Sequence, residues 1–264
     1  MDSYIINIGN IRIKWYSFLI LIGMLIAYLI IRKEVKKKGL KEDKFIDICF
    51  YTIIIGILGA RAYYVLFNLN YYLKYPSEII AIWHGGLAIH GGLIAALIFL
   101  IIYTKKKNIK TLLFLDTTVV GIIIAQAIGR WGNFFNKEAY GRIVSKVFLQ
   151  KLHLPNFIIN GMYINNYYRE PTFLYESIMS ILGFIILLII RKNKKIKTGM
   201  LTSFYLIWYG ISRLIIESFR SDSLMIGNIK MAQLVSIISI ISGIIIFIIS
   251  YKKNISYQTD ILID

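Results

Sequence analysis

The stretch of this sequence with the clearest potential for chemistry is W-Y-G-I-S-R-L-I-I-E-S-F-R, which begins at Trp208. Tyr209, Arg213, Glu217 and Arg220 are spaced by 4, 4 and 3 residues, so a helix places them on one face. Ionisable side chains inside an apolar segment are costly and mark function by default. The face is either a structural Arg–Glu pair between helices or a cationic surface for an anionic substrate, with Glu217 holding an arginine in place.

A second polar cluster, G-R-W-G-N-F-F-N-K-E-A-Y-G-R, covers residues 129–142 at the end of an apolar run. Its three glycines predict a tight loop with an accessible backbone. Backbone N–H groups and guanidinium forks suit a phosphate or a polyol, although an ordinary hydrophilic loop is the alternative. The candidate binding residues of this cluster are Arg130, Asn133, Asn136, Glu138 and Gly141.

Two histidines, His84 and His90, are each followed by two glycines in W-H-G-G-L-A-I-H-G-G. Glycine pairs allow a backbone or a lipid headgroup to approach closely. An unperturbed imidazole titrates at ~6.5, so His90 is a candidate general base; the alternative is an interfacial histidine satisfied by a carbonyl. The histidines and the single Cys49 show no metal-ligand spacing, so neither a metal nor a cofactor is expected.

The elements that carry these residues are predicted to be membrane helices. Hydrophobic residues make up 57% of the 264 positions and charged residues 17%, against ~45–50% and ~25% in soluble domains. Backbone groups in hydrocarbon must bond within their own segment, which favours helices. The sequence therefore predicts an all-α, polytopic membrane bundle of about seven transmembrane helices, with apolar runs at Trp15–Ile31, Phe45–Phe67, Gly86–Tyr103, Leu112–Ile128, Thr172–Ile190, Met200–Ile216 and Met231–Ser250.

The formal net charge of +17 could by itself indicate nucleic-acid binding, but the placement of the charges argues against that partner. Alternate loops between the apolar runs carry 18 of the 31 Lys and Arg residues, and the opposite loops carry 11. The positive-inside rule then predicts an outer N-terminus and a cytoplasmic C-terminus. The basic loops face an anionic leaflet and are Arg32–Lys44, Lys105–Lys110, Arg191–Lys197 and Lys252–Lys253.

The chain is expected to be a single integral membrane domain over residues 1–264. Residues 130–171, between the fourth and fifth helices, form the one insertion long enough for a small extracytoplasmic subdomain. A small secondary transporter for an anionic solute is the main alternative function, although its typical internal repeats are not found. A structural membrane subunit is a third possibility, and the clustered Arg, His, Asn and Glu count against it.

Taken in order along nearly the whole chain, these stretches resemble the bacterial phosphatidylglycerol–prolipoprotein diacylglyceryl transferases. The cluster at 129–142 looks like that family's G-R-x-G-N-F-x-N-x-E-x-x-G, and the segments at His90 and Tyr209 look like its H-G-G and Y-G-x-x-R-x-x-x-E. W-Y at Trp15 and G-A-R-A-Y-Y-V-L-F at Gly59 resemble its first two helical motifs. Two positions depart from the pattern, since Glu170 and Lys14 stand where the family usually has histidine.

The resemblance implies transfer of the sn-1,2-diacylglyceryl group from phosphatidylglycerol to the lipobox cysteine thiol in a prolipoprotein signal peptide. Glycerol 1-phosphate is released, no cofactor is needed, and the enzyme is a multi-pass protein of the bacterial cytoplasmic membrane, in contact with membrane lipids. The implied catalytic residues are His90, Arg130, Arg213, Glu217 and Tyr16. The implied lipid-binding residues are Arg130, Asn133, Asn136, Glu138, Gly141, Tyr209 and Arg61. No role is assigned to Glu170.

Overall fold

A computed structural model of the chain describes residues 4–8, 11–223, 225–227 and 229–262. Its long helices are α1 (Trp15–Lys37), α2 (Glu42–Phe67), α4 (Ile89–Lys106), α5 (Thr111–Asn136), α8 (Thr172–Lys192), α9 (Met200–Phe219) and α10 (Met231–Lys253). The shorter helices are α3 (Leu69–Tyr72), α6 (Lys146–Lys151) and α7 (Asn156–Gly161), with 3₁₀ turns at Pro76–Ile80 and Ile82–His84. Three antiparallel strand pairs join β1 (Tyr4–Ile8) to β2 (Ile11–Lys14), β3 (Tyr163–Ile164) to β4 (Tyr167–Tyr168), and β5 (Met225–Ile226) to β6 (Ile229–Lys230).

The helix content and length confirm the predicted all-α, polytopic membrane architecture. Within the described residues, six helices are long and apolar enough to cross a membrane: α1, α2, α4, α5, α8 and α10. The helix α9 has 20 residues but is not among the six, because it carries the polar and charged residues singled out above. The count of seven spans and the orientation of the chain stay predictions.

Several helix ends differ from the apolar runs of the sequence. The largest difference is in α5, where the sequence predicts a loop after Ile128 but the helix continues to Asn136. The helix continues because one side of this extension is apolar. Phe134 on that side is buried in a small core that lies beyond the apolar run. Half of the polar cluster at 129–142 is therefore helical, and only its later part is a loop.

That small core organises the insertion between α5 and α8. Buried residues from α5, α6, α7, β3 and α8 pack together, and the aromatic ring of Phe134 stacks on Phe173 at 4.7 Å between centroids. Burial of such side chains stabilises a fold by about 1.5–3 kcal/mol each. The core thus ties the end of α5 to the start of α8, and it comprises Phe134, Leu149, Ile158, Ile159, Met162, Ile164 and Phe173.

The chain divides into two compact units. The larger unit comprises residues 1–33 and 115–259. Inside it, the fully buried carboxylate of Asp116 on α5 accepts hydrogen bonds from the backbone N–H groups of Gly199 and Thr202 at 2.5 and 2.8 Å. It thereby caps the start of α9. Trp208 on α9 donates its indole N–H to the carbonyl of Met179 on α8 at 2.8 Å, which fixes α9 beside α8.

The smaller unit comprises residues 34–114 and 260–264, and α2 and α4 form its main helix pair. A Cβ atom on Gly91 would lie 2.6 Å from the carbonyl oxygen of Gly59, and one on Gly92 would lie 3.0 Å from that of Gly56. Small residues facing one another let helix backbones approach closely in a membrane. The glycines after His90 therefore serve the packing of α4 on α2.

Candidate active site

A chain of ion pairs links three helices of the larger unit. Arg130 on α5 contacts Glu176 on α8, with Nε and Oε2 2.5 Å apart. The other oxygen of Glu176 accepts from Nη1 of Arg213 on α9. Nη2 of Arg213 lies 2.6 Å from Oε2 of Glu217, one turn further along the same helix. Both carboxylates are nearly inaccessible, at 6% and 2% exposure, so each depends on its arginine partners.

The chain of ion pairs continues past the end of α9. Arg220 lies 3.8 Å from Glu217 and 3.0 Å from Asp222. The ammonium group of Lys230 donates to the carbonyls of Glu217 and Arg220 at 2.7 and 2.8 Å, which satisfies the C-terminal end of the helix. Asp222 also accepts from the backbone N–H of Ala139 at 2.7 Å. The network therefore joins α9 to the loop after α5.

The polar side chains at the end of α5 form a second network. Glu138 accepts from the amides of Asn133 and Asn136 at 2.9 and 3.4 Å, and Asn133 accepts from Arg130 at 3.4 Å. Gly141 follows in the loop, where a Cβ atom would lie 2.7 Å from Cβ of Glu170. The structure thus brings five of the predicted binding residues into one neighbourhood.

Tyr16 and Tyr209 reach the same region from other helices. Tyr16, on the first turn of α1, packs against α5 at Gly132, where a Cβ atom would lie 2.8 Å from the tyrosine ring. Tyr209 stacks on Tyr205, with the ring centroids 6.1 Å apart. The helices therefore supply two phenolic side chains near the ion pairs.

Between α5, α8 and α9 lies a narrow cleft. Arg130, Glu176 and Arg213 line its charged end, and neutral polar and apolar side chains, among them Trp208, line the rest. A cation-lined cleft with an apolar extension suits an anionic amphiphile, because the charged group and the hydrocarbon each meet a matching surface.

Two of the predicted site residues, Arg61 and His90, lie in the smaller unit. All five N–H donors of Arg61 are taken by main-chain carbonyls of Glu78, Ile79, Ala81, Gly85 and Gly86, at 2.5–3.4 Å. The guanidinium therefore holds the segment that leads from α3 to α4. His90 is half-buried on the first turn of α4, immediately after that segment.

Glu170, the position that departs from the family pattern, is buried and fully engaged. Its carboxylate accepts from Nε of Arg142 at 2.9 Å and from the hydroxyl of Tyr175 at 3.3 Å, and its backbone N–H and C=O bond to Arg142 and Gly141. Glu170 thus anchors the loop that carries Gly141 to the start of α8.

Two acidic residues of the ion-pair chain were not among the predicted site residues. Glu176 bridges Arg130 and Arg213, and Asp222 joins Arg220 to the loop after α5. Helical spacing reveals partners on one helix, such as Arg213 and Glu217, but it carries no signal for partners on different helices. The one available indication for Glu176 was its position a single turn inside an apolar helix.

Comparison with known proteins identifies the family of this chain. The family model described as prolipoprotein diacylglyceryl transferase matches residues 3–249. A Staphylococcus aureus (strain MSSA476) protein named phosphatidylglycerol–prolipoprotein diacylglyceryl transferase is 49% identical over 254 residues, covering 96% of this chain and 90% of its own length. A Staphylococcus haemolyticus (strain JCSC1435) protein of the same name is 49% identical over 259 residues, covering 98% and 90%. The chain therefore belongs to the prolipoprotein diacylglyceryl transferase family.

Proposed function

We propose that this chain transfers the sn-1,2-diacylglyceryl group of phosphatidylglycerol to the lipobox cysteine of a prolipoprotein signal peptide, and that the cleft between α5, α8 and α9 binds the lipid phosphate. The chain is a multi-pass enzyme of the bacterial cell membrane that modifies prolipoproteins. The family match decides against a secondary transporter. The observation that supports the lipid site is Arg213, which lines that cleft and whose guanidinium is shared between two buried carboxylates.

The reaction exchanges a carbon–oxygen bond for a carbon–sulfur bond. The cysteine sulfur attacks the glycerol carbon that carries the phosphate ester, and the bond from this carbon to the ester oxygen breaks. Glycerol 1-phosphate leaves with the electron pair of that bond, and the thiol proton is released to a base or to the product. A free cysteine thiol has a pKa of ~8.5 and is only a few per cent ionised at neutral pH, so a base or a positive field accelerates the attack.

Arg130 and Arg213 are placed to stabilise the charge that develops on the leaving phosphate. Cations fixed in a water-poor site act most strongly where charge appears in the transition state. Glu176 and Glu217 hold both guanidinium groups in position before the lipid arrives. We assign Arg130 and Arg213 to the phosphate and Glu217 to the orientation of Arg213.

The remaining candidates have supporting roles in this proposal. The amides of Asn133 and Asn136, fixed by Glu138, suit the polyol of the glycerol headgroup, and Gly141 holds the neighbouring loop through its backbone bond to Glu170. Tyr16 and Tyr209 border this region and complete the lipid-binding set. Arg61 acts through the segment that it holds, and His90 is the candidate base for the thiol.

A single assay tests the proposed function. Purified protein, phosphatidylglycerol and a synthetic lipobox peptide should yield diacylglyceryl-peptide and glycerol phosphate in equal amounts. A peptide with serine in place of the cysteine should remain unmodified, because its hydroxyl is far less ionised than a thiol. Transfer to the serine peptide, or hydrolysis of the lipid without modified peptide, would contradict the proposal.

Arg130→Ala tests the site in the same assay. We expect turnover to fall at least 100-fold, the usual cost of removing one stabilising donor from a developing anion. Arg191→Ala is the matched control and should retain activity. Arg191 is in the last turn of α8, at the end opposite to Glu176. Equal activity of the two variants would remove the cleft from the reaction.

A further inference from the structure

The cleft between α5, α8 and α9 changes in polarity along its length, and the same order is found on all three helices. The charged end is formed by Arg130, Glu176 and Arg213. One turn or less away from it, each helix contributes a neutral polar side chain, and these are Gln126, Ser180 and Ser212.

The far end of the cleft is apolar. Ile123 on α5 and Trp208 on α9 line it, and Gly183 on α8 packs against both, since a Cβ atom there would lie 2.6 Å from Ile123 and 2.5 Å from Trp208. At 1.5 Å per residue, the step from the charged to the apolar end is about 7.5 Å on α9 and about 10.5 Å on α5 and α8. Three lining residues depart from this order: Ile216 is apolar at the charged end, Met179 is apolar between Glu176 and Ser180, and Tyr209 brings a hydroxyl beside Trp208.

A glycerophospholipid has the same sequence of groups. Its phosphate is followed by a glycerol backbone with two ester carbonyls, and then by acyl chains. The ester carbonyls are neutral hydrogen-bond acceptors, so a neutral donor suits them better than a guanidinium held by carboxylates. The lining of the cleft therefore follows the order of groups in this central part of the lipid, and the acyl chains would extend beyond it.

Ser212 is the residue of the middle group best placed to recognise an ester. It is 9% exposed, it lines the cleft, and its hydroxyl is buried with no hydrogen-bond partner among the described residues. A buried hydroxyl left without a partner is unfavourable, so a ligand acceptor at this point is favoured. Gln126, by contrast, already hydrogen-bonds Tyr205.

We propose that the hydroxyl of Ser212 donates a hydrogen bond to an ester carbonyl of the diacylglyceryl group, and so contributes to the choice of diacyl over dialkyl lipids. This inference rests on the proposed function, because it takes the phosphate to lie between Arg130 and Arg213. Ser212 would set the depth at which the lipid binds, so that the reacting carbon of the lipid lies beside Arg130 and Arg213.

The test compares diacyl phosphatidylglycerol with its dialkyl ether analogue, which keeps the phosphate and the chains but lacks both carbonyls. The ratio of kcat/KM for ester over ether lipid is measured in mixed micelles for the wild type and for Ser212→Ala. We expect the wild-type ratio to exceed the Ser212→Ala ratio by about 2- to 10-fold, the span of one neutral hydrogen bond. Ser212→Thr, which retains the hydroxyl, should recover part of the discrimination.

Ser218→Ala is the control, because Ser218 is an exposed residue of α9 whose hydroxyl bonds the carbonyl of Ile215. It should leave the ratio unchanged. If Ser212→Ala lowers kcat/KM equally for both lipids, or not at all, Ser212 does not contact a carbonyl and the inference is wrong. If the wild type transfers neither lipid to the peptide, the proposed function itself fails, so the two failures are distinguishable.

Discussion

Arg213 uses two guanidinium nitrogens on two different carboxylates, and this geometry makes a specific prediction for its replacement. In Arg213→Ala, Glu176 keeps its contact with Arg130, and Glu217 keeps Arg220 at 3.8 Å. Neither buried carboxylate is then left alone, so we expect an inserted, folded protein without transferase activity. Arg213→Lys should recover little activity, because one ammonium cannot span both acids as the planar fork does.

The measurement is transfer activity together with thermal unfolding of the purified protein. A large decrease in the unfolding temperature of Arg213→Ala would show that Arg213 mainly stabilises the fold. Full activity of Arg213→Lys would mean that a point charge suffices.

His90 is tested by the pH dependence of the reaction. If it takes the thiol proton, His90→Gln should lower turnover by ~10²–10⁴ at neutral pH. The defect should shrink above pH ~8.5, where the peptide thiol ionises without help. A pH–rate series on the wild type and His90→Gln measures this.

Arg130→Ala is the comparison in the same series, since a lost phosphate contact is not restored by high pH. A defect in His90→Gln that is independent of pH, and that appears in the apparent affinity for phosphatidylglycerol, would contradict the role of a base.

At the residue scale, spacing along one helix was enough to predict the pair Arg213 and Glu217, and the polar cluster that contains Arg130 and Glu138. It could not predict that Glu176 joins Arg130 to Arg213, because that contact depends on how three helices pack. Arg61 shows the same limit. An arginine in an apolar helix indicates a functional site, yet here its donors all bind main-chain carbonyls.

At the scale of the helices, the contact between α2 and α4 makes a testable prediction. Gly91→Ala should weaken the packing of these two helices, because the new Cβ would lie 2.6 Å from the carbonyl oxygen of Gly59 on α2. A backbone carbonyl inside a helix cannot move away without shifting the helix itself. We expect a lower unfolding temperature, with a destabilisation of about 1–3 kcal/mol as for an overpacked core.

Gly56→Ala in the same helix pair is the matched control. Its Cβ would lie 3.8 Å from the carbonyl of Gly92, an ordinary contact, so it should unfold near the wild-type temperature. Equal stability of the Gly91 and Gly56 variants would mean that these helices are not closely packed at this point.

The long helices were predictable from the apolar runs, but their ends and the insertion were not. The sequence predicts a loop from Gly129, whereas α5 continues to Asn136 because Phe134 finds a core in the insertion. The N-terminal pair of β1 and β2 was not predicted either, although the dipeptide Gly9-Asn10 between two isoleucine-rich runs is a sequence signal for a hairpin.

At the scale of the whole molecule, the distribution of basic loops makes a prediction about sidedness. Single cysteines introduced at Lys37 and at Asn160, both exposed, should react with a membrane-impermeant thiol reagent from opposite sides of the membrane. The native Cys49 is first replaced by alanine, so that only the introduced thiol is labelled. Labelling of both positions from one side would contradict the predicted seven-helix topology.

Composition and charge placement were enough to predict a polytopic membrane protein, because lipid leaves few alternatives to helices. They could not reveal that the chain forms two compact units, with Arg130 and Arg213 in one and His90 in the other. Such a division depends on contacts between distant segments, for example residues 1–33 with 115–259. The spacing of charged residues along a single helix carries no information about this division.

In the proposed mechanism, the carboxylates that hold the arginines also influence product release. The lipid substrate is a phosphate diester with one negative charge, whereas glycerol phosphate is a monoester with about 1.5 to 2 charges at neutral pH. A site of uncompensated arginines would therefore retain its product more strongly than it binds its substrate. Glu176 and Glu217 compete with the departing phosphate for the same guanidinium nitrogens. We expect this competition to favour turnover by limiting inhibition by the product.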